Sequence, residues 1–153
     1  MRRINTLADL IDTDKIIDLK STNKDDVIRE LVNLIDEKSD YITDKEMVLK
    51  EFYKREQIMS TGIGLGIAVP HVKVSGINDF VAAIGRSKKG IEFGAIDEQP
   101  VHIFIMIGAS DKQAQEFLRV LAKIVLRLKH EEVREAIMDA GSPSEIRDIL
   151  VKG

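Results

Sequence analysis

The sequence predicts one α/β domain in which helices flank a central β-sheet. Two apolar, β-branched-rich runs of strand length, residues 80–86 and 101–109, stand between segments whose apolar residues recur at a helical period. Such alternation is typical of a sheet with helices packed around it. The 153 residues suit a single domain over 1–153 and allow a sizeable core.

The first half of the chain predicts a short strand at residues 15–20 and two helices. Asn23 is a favourable N-cap for the first helix, because an apolar face at helical spacing follows it. That face consists of Val27, Ile28, Leu31, Leu34 and Ile35. Thr43-Asp44-Lys45-Glu46 has the form of a capping box, which predicts a second helix that continues to about Arg55.

The second half begins with residues 60–70, which hold three glycines and a proline without a helical period and predict a loop with a short strand ending at Pro70. The run 101–109 is almost continuously apolar, as in a strand covered on both faces. Ser110 and Gln113 form another capping signature, ahead of a long amphipathic helix. The predicted apolar face of that helix is Phe117, Leu118, Leu121, Ala122, Val125 and Leu128.

Two further helices are predicted at the C-terminal end. Val133, Ala136 and Ile137 mark the first, which Gly141 ends. Ser142-Pro143-Ser144-Glu145 then supplies an N-cap, a proline at the first helical position and a capping-box partner. These local patterns leave the order of the strands open.

Composition narrows the function classes. The net charge of -3 gives no basic field that would attract nucleic acid or an anionic membrane, so neither partner is expected. The absence of cysteine excludes disulfides, a thiolate zinc site and a cysteine nucleophile. No apolar run approaches the roughly 18 residues of a membrane span, so we expect a cytoplasmic protein without direct membrane insertion.

The glycine-rich segment is the candidate for chemistry, because glycine lets backbone N–H groups approach an anion closely. A dinucleotide-binding fingerprint would need glycine where Ile67 stands, and a P-loop would need Gly-Lys-Ser/Thr, although no lysine of this segment precedes Lys73. His102 and His130 lack neighbours at metal-ligand spacing, and no Gly-x-Ser-x-Gly elbow occurs. We therefore expect no metal site and no serine hydrolase.

His71, which follows Pro70 directly, is the candidate nucleophile. Neutral imidazole with its ordinary pKa of about 6.5 is nucleophilic near neutral pH, and a phosphorylated ring is reactive enough to pass its phosphoryl group on. The hydroxyls of Ser60 and Thr61 and the guanidinium of Arg55 are candidates for phosphate binding. The residues alone leave open a packing role for His71 and a helix-terminus role for Arg55.

The run from Arg55-Glu56 through Ser60-Thr61-Gly62-Ile63-Gly64 to Gly66-Ile67-Ala68-Val69-Pro70-His71 resembles the active-site signature of enzyme IIA proteins. These form the fructose/mannitol/nitrogen-regulatory (type 2) branch of the bacterial phosphoenolpyruvate phosphotransferase system. Residues 93–101 look like the stretch that follows in nitrogen-regulatory members, which the chain resembles most by motif, and the likeness spans about residues 5–150.

The resemblance implies a mixed sheet flanked by helices and a phosphoryl acceptor at His71. It implies that the donor is the phosphohistidine of HPr and that the recipient is an enzyme IIB partner or a regulatory target protein. Arg55, Ser60 and Thr61 match family positions that line the site. No metal or organic cofactor is implied.

The chain departs from the family at two positions. Members usually have a small residue, often glycine, after the active histidine, so Val72 predicts a different backbone geometry and a narrower approach for a partner. Many members carry a second histidine where Phe117 stands, and its absence removes a charge-assisted hydrogen bond of about 1.5–3 kcal/mol.

Three hypotheses follow. The first is a free-standing regulatory phosphocarrier. The second is a protein-binding module that no longer takes phosphate, for which Val72 and Phe117 are the evidence. The third is a sugar-transport enzyme IIA that works with separate IIB and membrane chains.

Overall fold

The computed structural model describes residues 3–152, which build a six-stranded mixed sheet covered by helices on both faces. The strands are β1 (Ile16–Asp18), β2 (Gly62–Gly64), β3 (Ile67–Ala68), β4 (His71–Lys73), β5 (Val81–Ile91) and β6 (Val101–Ala109). The helices are α1 (Lys24–Lys38), α2 (Lys45–Ile58), α3 (Ala114–Leu128), α4 (Glu131–Asp139) and α5 (Pro143–Val151). The predicted fold class is confirmed.

The centre of the sheet is the long antiparallel pair β5–β6. β1 extends it in parallel beside β5, whereas β3 and β4 both run parallel to β6, one after the other along the same edge. β2 closes that side as the antiparallel partner of β3. Consequently Val69 and Pro70 form a short break between two strands, and His71 stands opposite Ile107 at the start of the second one.

Two apolar cores lie on opposite faces of the sheet. Ile103, Ile105 and Ile107 of β6 pack towards α3, α4 and α5. Phe104 and Met106 point the other way, into the core that α1 and α2 cover. β6 is therefore buried on both faces, as its continuous apolar run predicted.

The helix boundaries agree in part with the predictions. Asn23 caps α1, since its side chain accepts a hydrogen bond from the backbone N–H of Asp26 at 2.9 Å. Asp44, and not Thr43, caps α2 by accepting from the N–H of Met47 at 3.1 Å. α2 also continues past Arg55 to Ile58, because residues 56–58 include neither a glycine nor a proline that would end the helix.

The glycine-rich segment is more regular than predicted. It is a hairpin of β2 and β3 followed by the start of β4, and the strand expected to end at Pro70 stops at Ala68. Gly64, Leu65 and Gly66 all have positive φ, at 90°, 60° and 76°. The two glycines adopt that conformation without a steric cost, which allows the chain to reverse here.

Helix α3 begins at Ala114 with Gln113 as its N-cap, so the predicted capping signature of Ser110 and Gln113 lies in the turn before the helix and does not mark its first residue. In that turn the backbone N–H of Ser110 donates to Oε1 of Gln113 at 2.9 Å, and the hydroxyl of Ser110 accepts from the N–H of Lys112 at 3.2 Å. Helix α4 ends at Asp139 with Ala140 as its C-cap, so Gly141 directly follows the helix end, as predicted. Ser142 caps α5 as predicted, accepting from the N–H of Glu145 at 3.2 Å.

Candidate active site

The imidazole of His71 is half-buried and fixed by one backbone contact. Its Nδ1 lies 2.6 Å from the carbonyl oxygen of Val69. Because a carbonyl oxygen only accepts, Nδ1 must carry the proton in this contact. The lone pair of the neutral ring is then on Nε2, which is the nitrogen able to act as a nucleophile.

Electrostatics favour this neutral form. Burial lowers the pKa of His71 below the ordinary value, and it outweighs the opposing effect of the Val69 carbonyl. Arg55 lowers the same pKa further, and Glu56 raises it. A histidine with a lowered pKa is unprotonated at neutral pH, as a nucleophile must be.

Phe117 forms one wall of the site. Its ring centre lies 5.8 Å from that of His71 with an interplanar angle of 47°, and it packs in turn on Phe80. The side chain is almost completely buried. The position that carries a second histidine in many type 2 proteins is therefore an apolar surface against the imidazole here.

Val72 points away from the site. It lies in the core covered by α1 and α2, on the face of β4 opposite to His71. Its backbone is extended, and among the described residues only Leu65 and Glu98 are non-glycine positions with positive φ. The expectation that Val72 narrows the approach to His71 is therefore wrong.

Arg55 belongs to the last turn of α2 and lies close enough to His71 to affect its pKa. One guanidinium nitrogen, Nη1, donates to the carbonyl oxygen of Met59 at 2.7 Å, which holds the side chain at the helix end. A guanidinium has further N–H donors in a rigid fork. Both proposed roles, as helix-terminus cation and as anion binder, are thus compatible with its position.

Ser60 and Thr61 have their hydroxyl groups engaged within the protein. The hydroxyl of Ser60 donates to the carbonyl oxygen of Phe93 at 2.8 Å and accepts from the N–H of Gly62 at 3.0 Å. The hydroxyl of Thr61 donates to the carboxylate of Glu56, which also accepts from the Thr61 N–H at 3.1 Å. In this arrangement both residues shape the loop that leads to β2.

Glu56 and Lys24 support the loop beside the site through contacts that the sequence patterns did not reveal. The carboxylate of Glu56 is 4% exposed and forms an ion pair with the Lys24 ammonium at 3.0 Å. Lys24 also donates to the carbonyl oxygen of Phe93 at 3.3 Å. The network joins α1, α2 and residues 60–62. The motif signal could have identified Glu56, because it follows Arg55 in the family signature. No local sequence signal distinguished Lys24 from the other surface lysines.

Other kinds of site receive no support within residues 3–152. No group of three or more histidine, aspartate or glutamate side chains is arranged to hold a metal ion there. Within the same residues, every helix is too short or too polar to cross a bilayer.

Comparison with known proteins decides the family. Residues 9–153 match the sequence model described as "Phosphoenolpyruvate-dependent sugar phosphotransferase system, EIIA 2". The chain belongs to this EIIA family. The resemblance seen in the sequence motifs is thereby confirmed.

Curated relatives of this EIIA chain come from two branches. It is 34% identical to the PTS system fructose-specific EIIABC component of Bacillus subtilis over 88% of its own length, but it spans only 21% of that protein. It is 32% identical to the fructose-specific EIIA component of Haloferax volcanii, over 72% of each chain. Identity to the nitrogen regulatory protein of Pseudomonas aeruginosa is 25%, over 89% and 88% of the two chains.

Solved structures agree. The nitrogen regulatory protein IIA-Ntr from Neisseria meningitidis superposes with a TM-score of 0.87 at 26% identity, covering 94% of this chain and 98% of that one. The mannitol IIA of Escherichia coli gives a TM-score of 0.77 at 22% identity, covering 92% and 98%, and shows the same fold.

Proposed function

We propose that this EIIA chain is a cytoplasmic phosphocarrier in which His71 accepts a phosphoryl group from the phosphohistidine of an HPr-type protein. The observation that carries the proposal is the state of the ring. Nδ1 is held by the Val69 carbonyl, and burial favours the neutral imidazole with its lone pair on Nε2.

The transfer step involves two P–N bonds. The lone pair of His71 Nε2 attacks the phosphorus of the donor and forms the new bond, while the P–N bond of the donor breaks and its electron pair returns to the donor imidazole. The proton on Nδ1 stays on the ring, where the Val69 carbonyl stabilises the positive charge that develops. The protein contributes positioning and charge neutralisation.

Arg55 binds the incoming phosphoryl oxygens in this proposal, using guanidinium donors other than the one bound to Met59. Ser60 and Thr61 support the site by holding the loop between α2 and β2, because their hydroxyl protons are already donated to Phe93 and Glu56. No metal or organic cofactor takes part.

We infer a partner-binding surface beside this site, because Met59 at the end of α2 accepts a hydrogen bond from Arg55. Large apolar side chains are exposed on the end of α2, on the β2–β3 hairpin and on the loop whose residue 96 bonds to Gly62. We call them the apolar rim: Ile58, Met59, Ile63, Leu65 and Ile96. Exposed apolar groups of this size are typical of protein-binding surfaces, and they suit a site that must meet HPr and then a recipient.

Two versions of the proposed function differ in where the phosphoryl group goes after His71. We favour a nitrogen-type regulatory role, supported by the overlap with IIA-Ntr along nearly the whole of both chains. A phosphoryl group on His71 would add negative charge beside the apolar rim and change which regulatory target binds. The sugar-transport version, with an enzyme IIB as recipient, is supported by the higher identity to the fructose-specific proteins.

The test of acceptance is phosphorylation with purified components. The protein is incubated with phosphoenolpyruvate, enzyme I and HPr, and its intact mass is measured. We expect one acid-labile phosphate on wild type and on the control His130→Ala, whose imidazole lies at the start of α4. His71→Ala should gain none.

Failure to label wild type, under conditions that label a known EIIA, would refute the phosphocarrier. It would favour the protein-binding module, for which the apolar wall at Phe117 is the supporting observation. Adding a fructose-type enzyme IIB to the labelled protein distinguishes the two destinations, because only the transport version predicts rapid loss of the label to IIB.

A further inference from the structure

Strand β4 places a second basic side chain beside the nucleophile. Alternate residues of a strand point to the same face, so His71 and Lys73 project together while Val72 points into the opposite core. Lys73 is exposed, and its four-carbon stem gives the ammonium a wide reach.

Phe117 connects these two residues. The Lys73 ammonium lies 5.6 Å from the centre of the Phe117 ring. The centre of the His71 ring lies 5.8 Å from the same ring centre. Lys73 and His71 thus share one neighbour. An exposed cation–π contact is weak, so the ammonium can leave the ring at little cost when an anion arrives.

The phosphoryl group creates a need for such a cation. A phosphoryl group carries between one and two negative charges near neutral pH. Phe117 offers it no hydrogen-bond donor, and Arg55 is partly committed to the carbonyl of Met59. A second positive charge on the face of β4 that carries His71 would complete the neutralisation.

We propose that Lys73 is the second phosphate-binding cation of the site, moving from the Phe117 ring to the phosphoryl oxygens on Nε2 of His71. The inference rests on the proposed function, because it deepens phosphoryl acceptance at the same histidine. It assigns to Lys73 the charge neutralisation that Phe117 cannot provide.

A small phosphoryl donor tests this without a partner protein. With phosphoramidate, the P–N bond of the donor breaks, ammonia leaves with the electron pair, and the lone pair of His71 Nε2 forms the new P–N bond. The labelling rate is followed by intact mass and by ³¹P NMR in wild type, Lys73→Gln and Lys73→Arg. Lys89→Gln, which removes an exposed lysine from β5, is the matched control.

Lys73→Gln should label about tenfold more slowly, the effect of losing one charge-assisted hydrogen bond. Lys73→Arg should restore the rate to within about twofold, because a guanidinium also donates to phosphate. Lys89→Gln should behave like wild type. The rescue by arginine separates charge neutralisation from a merely structural role of the lysine stem.

The outcomes distinguish the two proposals. If Lys73→Gln labels at the wild-type rate from phosphoramidate, or if Lys73→Arg is as slow as Lys73→Gln, the inference is overturned, whatever HPr does. If phosphoramidate shows the expected pattern but HPr does not label wild type, the proposed function fails and the role of Lys73 stands. If neither donor labels His71, both are refuted.

Discussion

At the scale of residues, the contact between His71 Nδ1 and the Val69 carbonyl sets the tautomer and the orientation of the imidazole. Val69 lies in the short break between β3 and β4, and both strands pair with β6. Backbone hydrogen bonds hold the segment on both sides of this carbonyl, from the Val69 N–H to Thr61 at 3.0 Å and from the Ile107 N–H to Pro70 at 2.9 Å. The carbonyl therefore selects the tautomer of His71 without a second imidazole. An apolar Phe117 is therefore compatible with the proposed role of His71, provided that other cations neutralise the phosphoryl charge.

The direction in which the His71 pKa departs from its ordinary value is predictable. Its pKa in the folded protein should lie below the reference value of 6.5, mainly because burial disfavours the imidazolium. Protonation then favours the unfolded chain. The stabilising contribution is complete above the unfolded pKa and is lost as the pH falls from there through the folded pKa.

Two measurements check this titration. ¹⁵N-edited NMR of the ring gives the pKa directly, and urea unfolding of wild type and His71→Gln at several pH values gives the linked stability. The variant should lose part of the pH dependence seen in wild type. A His71 pKa at or above 6.5 would contradict the prediction.

At the scale of elements, the site depends on the contacts that join the end of α2 to the β2–β3 hairpin, which we call the Glu56 tie. Glu56 on α2 binds Thr61, and Lys24 at the start of α1 binds Glu56. The tie brings the Arg55 turn and residues 60–62 towards β4. It is a tertiary arrangement, because α1 and the hairpin are distant in the chain.

Replacing Glu56 tests the tie. Glu56→Gln should lower the free energy of unfolding by about 2 kcal/mol, less than the loss of a fully buried ion pair because Lys24 is 28% exposed. Amide exchange at Thr61 should accelerate, since its N–H donates to the lost carboxylate. Urea unfolding and hydrogen exchange measure both effects.

The control for Glu56 is Glu135→Gln, which removes an exposed carboxylate from α4. Surface changes of this kind are usually within about 0.5 kcal/mol. Equal stability of the two variants would mean that the Glu56 network contributes nothing to the loop.

The tip of the hairpin combines backbone strain with an exposed apolar side chain. Leu65 has φ of 60° and is 56% exposed. A non-glycine residue in this conformation is disfavoured, whereas asparagine adopts it more readily. Leu65→Asn should therefore raise the free energy of unfolding by about 0.5–1 kcal/mol, measured by urea unfolding.

The same variant tests the apolar rim. If HPr docks on it, Leu65→Asn should raise the KM for HPr while labelling by phosphoramidate stays at the wild-type rate. A more stable protein with an unchanged KM would remove Leu65 from the docking surface. A less stable one would show that its side chain makes packing contacts that outweigh the strain.

At the scale of the whole molecule, the sheet separates two cores. A buried arginine on β5 links the edge strand β1 to the end of helix α4. Arg86 of β5 is 5% exposed. Its Nη1 donates to the carbonyl oxygens of Ile137 and Ala140 at 2.9 and 2.6 Å, and its Nε donates to Asp18 of β1 at 2.7 Å. It thus supplies a donor to the carbonyl of Ala140, the residue after α4, and a second donor to the Ile137 carbonyl, which also accepts from the Ala140 N–H at 3.3 Å.

Arg86→Lys keeps the charge but not the fork of donors. A lysine cannot reach Asp18 and both carbonyls at once, so the fork that joins β1 to the end of α4 is broken and a buried carbonyl loses its charged donor. We expect the free energy of unfolding to fall by about 2–3 kcal/mol in urea. The exposed control Lys89→Arg should be neutral, and a neutral Arg86→Lys would show that α4 does not depend on this link.

Much of the fold was predictable from local patterns. The apolar face of α1 is buried as its period indicated, and β6 is covered on both sides. The face of α3 was predicted wrongly in part, since Leu118 and Val125 are exposed while Val120 and Ile124 are buried. That helix carries apolar residues around much of its circumference, so the period alone does not select the buried side.

The ordered motif around His71 is specific enough for the sequence to single out this residue as the proposed nucleophile. Two strand runs among helical periods predicted the fold class, which the structure confirms. The folded structure was needed for four features that no local pattern contains: the tautomer set by Val69, the burial of Val72, the partners of Ser60 and Thr61, and the contact of Lys73 with Phe117. These depend on strand pairing and on contacts between distant segments. The physical reason is that local propensity chooses an element, whereas burial against other elements chooses which side chains it brings together.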